Sequence, residues 1–187
     1  MLELAVLGLL HDSPMHGYEL RKRLNDSLGV FRALSCGSLY PTLRRLLRAG
    51  LIEEDAGDAA GWGRRTRRVY RITEAGVQRF TELVADCGPR ASDDNAFGVH
   101  MVFFSRTPAD VRLRILEGRR RRIEERRDEL RSALSSDTGS LDRYTRELHR
   151  LRLDHSEREV RWLEEIIETE RAEQAAASAS GRPEAGG

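Results

Sequence analysis

The chain has 187 residues with 32 Lys+Arg against 31 Asp+Glu, a formal net charge of +1. That length suits one substantial domain or two small ones, and a near-neutral total by itself argues against a nucleic-acid partner. The distribution answers the objection, because residues 1–80 hold 13 basic against 9 acidic side chains and the remainder holds 19 against 22.

Leu2, Val6, Leu9 and Leu10 give a first helix that is apolar nearly all round, as a buried element is, and too short to cross a bilayer. After the Asp12-Ser13-Pro14 break, His16 to Leu24 reads as a second helix in which Tyr18, Leu20 and Leu24 pack while Arg21, Lys22 and Arg23 stay in water. In the third helix Leu39, Leu43, Leu46 and Leu47 follow the spacing of a helix docked on a small core. Its other face carries Ser38, Tyr40, Thr42, Arg44, Arg45 and Arg48, hydroxyls and guanidinium groups suited to phosphates and base edges. Gly50 ends it, as a C-terminal glycine does.

Leu51 to Glu54 and Arg67 to Ile72 read as two strands of a hairpin, joined through the Gly- and Asp-rich stretch from Ala56 to Gly63. Tyr70 and Ile72 alternate with Arg67, Val69 and Arg71, so one face packs inward. Arg64, Arg65, Arg67, Arg68 and Arg71 make this hairpin basic. It suits a phosphate backbone or a narrow minor groove, with Arg64, Arg65 and Arg67 the foremost contacts. Thr73 is the expected N-cap of a fourth helix, with Glu74 and Gln78 near the positive end of its dipole. Three helices, a basic hairpin and a helix make a winged helix-turn-helix.

Three motifs in this order resemble the PadR family of transcriptional regulators. They are Pro14-Met15-His16-Gly17-Tyr18-Glu19-Leu20, then Gly37-Ser38-Leu39-Tyr40-Pro41-Thr42-Leu43-Arg44-Arg45-Leu46, then Arg68-Val69-Tyr70-Arg71-Ile72-Thr73-Glu74-Ala75-Gly76. None departs from the family pattern. The resemblance covers the first half closely and the rest in outline. It implies a dimeric DNA-binding protein, usually a repressor, whose helical C-terminal domain dimerises and often lines a pocket for a small-molecule effector.

Gly88-Pro89-Arg90 marks a break before the apolar run Phe97 to Phe104, which should be buried. Thr107 at the cap and Pro108 at the first helical position open a helix from about Ala109 to Leu134, with Val111, Ile115, Ile123, Leu130 and Leu134 apolar. The last helix shows Leu141, Tyr144, Leu148, Leu151, His155, Trp162 and Ile166 at three- and four-residue steps, interrupted at Arg158 and Glu159. Two long helices present more apolar face than one winged domain can cover. The expectation is a helical hairpin that pairs with its copy in a C2 dimer through Leu141, Tyr144, Leu148, Leu151, Trp162 and Ile166. Ala175 to Gly187 holds too little apolar surface to fold and is expected to be disordered. The fold class is thus mainly α, an α+β winged helix-turn-helix over residues 1–88, followed by a helical dimerisation and effector domain over 89–174 and a tail over 175–187.

Function follows from that layout. Two recognition helices about one DNA turn apart would read a pseudo-palindromic double-stranded DNA operator as a homodimer. Trp162 could wall an effector pocket, although packing in the helix seam is the preferred reading. Arg119 and Arg122, within an arginine run that continues to Arg126 and Arg127, could receive an anionic effector. The preferred alternative is a solvated face tied to Glu124, Glu125, Asp128 and Glu129. His16 could contact a phosphate, with capping and local packing the simpler role. Cys36, at the start of the recognition helix, could be a redox-sensitive thiol, although the position asks only for a small residue. His149 and His155 do not share a helix face, so no metal site is expected, and no cofactor or catalytic motif is present. Two cysteines and the absence of a signal or membrane-spanning pattern place the protein in the cytoplasm. A winged-helix protein-interaction module is the alternative to a ligand-responsive repressor, and it has no need of the arginines on the third helix and hairpin.

Overall fold

A computed structural model of the chain describes residues 1–28, 38–56, 68–86, 88–136 and 141–180. The chain divides into two compact units, Met1–Pro108 and Ala109–Gly187.

In the first unit α1 (Leu2–Asp12) is buried from Leu4 to Leu10, as an all-apolar helix requires. It is followed by β1 (Met15–His16), α2 (Gly17–Leu28), α3 (Leu39–Arg48), β2 (Ile52–Ala56), β3 (Arg68–Ile72), α4 (Glu74–Ala85) and α5 (Asp94–Val102). Short 3-10 turns lie at Pro89–Ser92 and Phe104–Arg106. The antiparallel sheet runs β1-β3-β2, with Met15 opposite Tyr70, His16 opposite Val69 and Ile52 opposite Ile72. The leucines of α1 meet Met15, Leu20, Leu24, Leu39, Leu43, Leu46, Ile52, Tyr70, Phe80 and Val84 in one core.

Two expectations for the second helix are corrected here. His16 belongs to β1 and the helix starts at Gly17, because Met15 is drawn into the core beside Tyr70. Tyr18 is exposed, not packed. It sits two residues before the buried Leu20, which on a helix is nearly the opposite side.

The end of α3 is fixed by a compact joint. Gly50 has φ +66°, its amide donates to Leu47 O at 3.0 Å, and the Leu51 amide donates to Leu46 O at 3.0 Å, the paired bonds of a Schellman stop. The carbonyls of those same two residues, Gly50 and Leu51, then hold the far side of the hairpin. The Thr73 hydroxyl donates to Gly50 O at 2.7 Å and its amide to Leu51 O at 3.1 Å, while its oxygen caps α4 by accepting from the Gly76 amide. A Cβ added at Gly76 would stand 2.0 Å from Leu51 O, so only glycine fits.

Residues beyond the expected boundary at 88 remain with the first unit. Val99 and Phe103 join its core, and a Cβ at Gly8 would lie 2.3 Å from the Phe103 ring, a measure of how closely α5 approaches α1. Phe103 also meets Phe80 edge-on at 5.5 Å. The apolar run Phe97 to Phe104 is buried as its composition demands, save for Met101 and Val102 at its rim.

The second unit is a helical hairpin, α6 (Ala109–Ser135) and α7 (Arg143–Ser180). Ion pairs cross between the two helices at Arg112–Glu170, Arg119–Glu159 and Arg131–Glu157, stepping in opposite directions along them, as antiparallel neighbours must. Asp142 caps α7 by accepting from the Tyr144 and Thr145 amides. The helix continues to Ser180, through residues expected to be disordered from Ala175 on. Residues 181–187 of that tail lie outside the described residues.

His100 is buried in α5 with its Nδ1 lacking a hydrogen-bond partner. Burial lowers its pKa, and the nearby Asp86 only partly offsets this. Below the ordinary histidine value of about 6.5 the unfolded chain therefore binds a proton that the folded chain refuses, so stability rises with pH across that window. Denaturant unfolding from about pH 7.5 to about pH 5 should show stability falling with pH, and His100→Leu should flatten the fall.

Candidate nucleic-acid interface

The site begins with three leucines. Leu39, Leu43 and Leu46 are buried against α1, which leaves the opposite face of α3 to water. At roughly 100° per residue, Pro41 and Arg48 point most directly away from that seam, with Arg44 and Arg45 each about 130° from it on opposite sides. Tyr40 lies on one flank and Arg45 with Ser38 on the other. Tyr40 is 52% exposed, Ser38, Arg44, Arg45 and Arg48 are exposed, and Thr42 is half-buried. Arg48 Nε donates to the Arg44 backbone carbonyl at 3.3 Å, which holds the Arg48 side chain back along the last turn.

The Tyr40 flank opens on a cavity of about 550 Å³ lined by His16, Gly17, Tyr18, Glu19, Tyr40, Arg68 and Tyr70. This brings together residues from β1, α2, α3 and β3. His16 is half-buried and its Nδ1 has no hydrogen-bond partner, while burial and the facing Glu54 hold the Tyr70 phenol above its ordinary value.

Among the described residues, the hairpin's arginines face carboxylates. Arg68 Nε lies 2.9 Å from Glu54, and Arg71 lies 3.6 Å from Glu53 and 3.7 Å from Asp55. Cross-strand pairing sets Glu54 opposite Tyr70 and Glu53 opposite Arg71, so the acidic strand faces the basic one. The run Glu53-Glu54-Asp55 was the visible signal for this balance. Arg64, Arg65, Arg67 and Cys36 lie outside the described residues.

Arg45 has a partner that no local pattern announces. Its Nη1 donates to Glu3 at 2.7 Å across from α1, and Glu3 also accepts from Arg79 of α4 at 2.9 Å. Burial acts to raise the Glu3 carboxyl, but the two arginine hydrogen bonds outweigh it and hold the group below the usual carboxylate value.

A family model described as the transcriptional regulator PadR-like family matches residues 6–82, from α1 through α4. Over 79 residues the chain is 42% identical to the transcriptional regulator Rv3488 of Mycobacterium tuberculosis, a match covering 41% of this chain and 68% of that protein. The chain belongs to the PadR-like family of transcriptional regulators. This PadR-like chain is also similar to the crystal structure of Bacillus subtilis PadR in complex with operator DNA, at 18% identity and a TM-score of 0.45. That likeness covers 90% of this chain and 98% of that one. The Bacillus subtilis PadR structure with p-coumaric acid is 19% identical at a TM-score of 0.42, with 91% and 98% covered. The family is one of regulators, not enzymes.

In the second unit of this PadR-like chain, α7 carries two faces. Ser156, Val160, Leu163 and Ile167 are buried and form the inner seam. The stripe read from the sequence is a different one, turned roughly 110° around the helix. Along it Tyr144, Leu148, Leu151 and Trp162 are exposed, Tyr144 by 81%, and Leu141 and Ile166 are half-buried. Arg119 is no open anion site: it is only 7% exposed and its guanidinium lies 2.7 Å from Glu159. Arg122 is half-buried. Between the helices a cavity of about 620 Å³ is lined in part by Arg126, Leu130, Leu151, Arg152, His155 and Glu159. Among the described residues no group of His, Cys, Asp or Glu is placed to hold a metal, and no helix is long and apolar enough to cross a membrane.

Arg119→Ala should destabilise the chain by about 1–3 kcal/mol, since it removes a buried guanidinium from the seam and leaves the half-buried Glu159 carboxylate without it. Thermal denaturation measures this, and Arg119→Ala paired with Glu159→Ala should recover part of the loss.

Proposed function

We propose that this chain is a sequence-specific repressor that binds a pseudo-palindromic operator as a homodimer, with its DNA affinity modulated by a small-molecule effector. The single observation that carries the reading is the division of α3 into a buried leucine seam and a solvent face bearing Tyr40, Arg44 and Arg48. Such a helix can enter a major groove without disturbing its own core. Residues 1–88 serve as the DNA-binding part, with Ser38, Thr42 and His16 beside the three main contacts and Arg64, Arg65 and Arg67 supplying the wing. Among the described contacts, Arg45 must first leave a carboxylate.

Dimerisation is assigned to the outer stripe of α7. Exposed Tyr144, Leu148, Leu151 and Trp162 on one face are more apolar surface than a helix leaves in water without a partner. An effector is assigned to the neighbouring cavity between α6 and α7, where Arg126, Arg152 and His155 suit an anionic, partly apolar molecule. Binding there would change operator affinity by favouring one arrangement of the dimer over another.

Titrating the protein against its own upstream DNA across salt concentrations tests the reading. Affinity should fall steeply with ionic strength, and Tyr40→Ala or Arg44→Ala should weaken binding by about 1–3 kcal/mol while the dimer stays intact. Affinity that ignores salt, or no binding at low salt, overturns it in favour of a protein-interaction module. In the second unit, Leu148→Asp with Leu151→Asp should yield monomers by light scattering and abolish operator binding. A double variant that stays dimeric and DNA-competent would show the interface lies elsewhere.

A further inference from the structure

We propose that Glu3 is an internal counter-charge that competes with DNA phosphate for Arg45, so that α1 limits how tightly α3 holds any duplex. The proposal rests on the DNA-binding reading above and adds a regulating residue to it. Glu3 is shielded, with its side chain 15% exposed, and it takes Arg45 at 2.7 Å and Arg79 at 2.9 Å on separate oxygens. Arg79 in turn holds Glu82 at 2.9 Å. Two guanidinium groups thus meet two carboxylates, and the cluster adds no net charge to the surface that α3 presents.

The two arginines are not equivalent. Arg45 keeps 57% of its side chain in solvent and sits on the flank of α3, beside the outward Arg44 and Arg48. It can swing to a phosphate without moving the helix. Arg79 stays on Glu3 through its Nε, so the shielded carboxylate is never left bare when Arg45 departs. This makes the exchange mild: a pair exposed on its arginine side is given up, and a charge-assisted phosphate contact replaces it. Removing the Glu3 charge should therefore make Arg45 available from the outset and raise affinity for operator and unrelated duplex alike.

The test measures duplex binding by wild type, Glu3→Gln, Arg45→Ala and the double variant over a salt series. Glu3→Gln should bind roughly five-fold more tightly at low salt, with the gain shrinking as added salt screens the Glu3–Arg45 pair that only the wild type has to give up. In the Arg45→Ala background the same substitution should give no gain. No gain in Glu3→Gln at low salt, or a gain that survives without Arg45, overturns the proposal. Absence of any wild-type binding at low salt overturns the DNA-binding reading and this proposal with it. Arginine side-chain NMR on the unmodified protein gives a second readout independent of any variant's folding. Added duplex should shift the Arg45 guanidinium signals and leave those of Arg79, whereas an unmoved Arg45 rejects the idea.

Discussion

The burial of Leu39, Leu43 and Leu46 against α1 is the constraint on which the rest of the first unit depends. Once those three side chains leave water, the helix can rotate no further, and the direction of every other residue on α3 is set by its 3.6-residue turn. Each fully buried leucine is worth about 1.5–3 kcal/mol of transfer free energy, enough to hold that rotation against the pull of any one surface contact. Arg44 and Arg48 face outward because the leucines face inward. The Gly50–Leu51–Thr73–Gly76 joint then fixes where the helix stops and where the hairpin and α4 begin, through backbone bonds that a side chain at Gly76 would break.

Charge has a second layer over this frame. An arginine-rich stretch reads as a cation in sequence, yet among the described residues Arg68, Arg71 and Arg45 all face carboxylates. Exposed pairs of this kind contribute little to stability, and their value lies in what they withhold or release when a polyanion arrives. The interface is thereby uneven: Arg44 and Arg48 face solvent outright, and Arg45 is held in reserve by Glu3.

What could be read in the sequence was what periodicity and local chemistry encode. The leucine spacing of α3, the apolar α1, the Thr73 cap, the Gly50 stop and the long helix from Ala109 all rest on neighbours within a turn or two, and they stand as expected. What escaped was non-local. β1 is two residues long and exists only because Met15 meets Tyr70 on a strand far along the chain. The Glu3–Arg45 pair joins the first and third helices, with no spacing rule to betray it. The Pro89 break looked like a domain boundary, yet Val99 and Phe103 find their apolar partners on the first unit, so the compact unit extends to Pro108. On α7 the eye takes the larger residues, Tyr144, Leu148, Leu151 and Trp162, while the seam to α6 is made by the smaller Ser156 and Val160 with Leu163 and Ile167.

Photo-crosslinking from position 40 tests the central claim most directly. A photoreactive phenylalanine analogue replaces Tyr40 in one protein and Trp162 in another, and each is irradiated with the upstream duplex. The account predicts efficient crosslinks to DNA from position 40 and none from position 162. Crosslinks from position 162 alone, or from neither position under conditions where the protein binds, would contradict it.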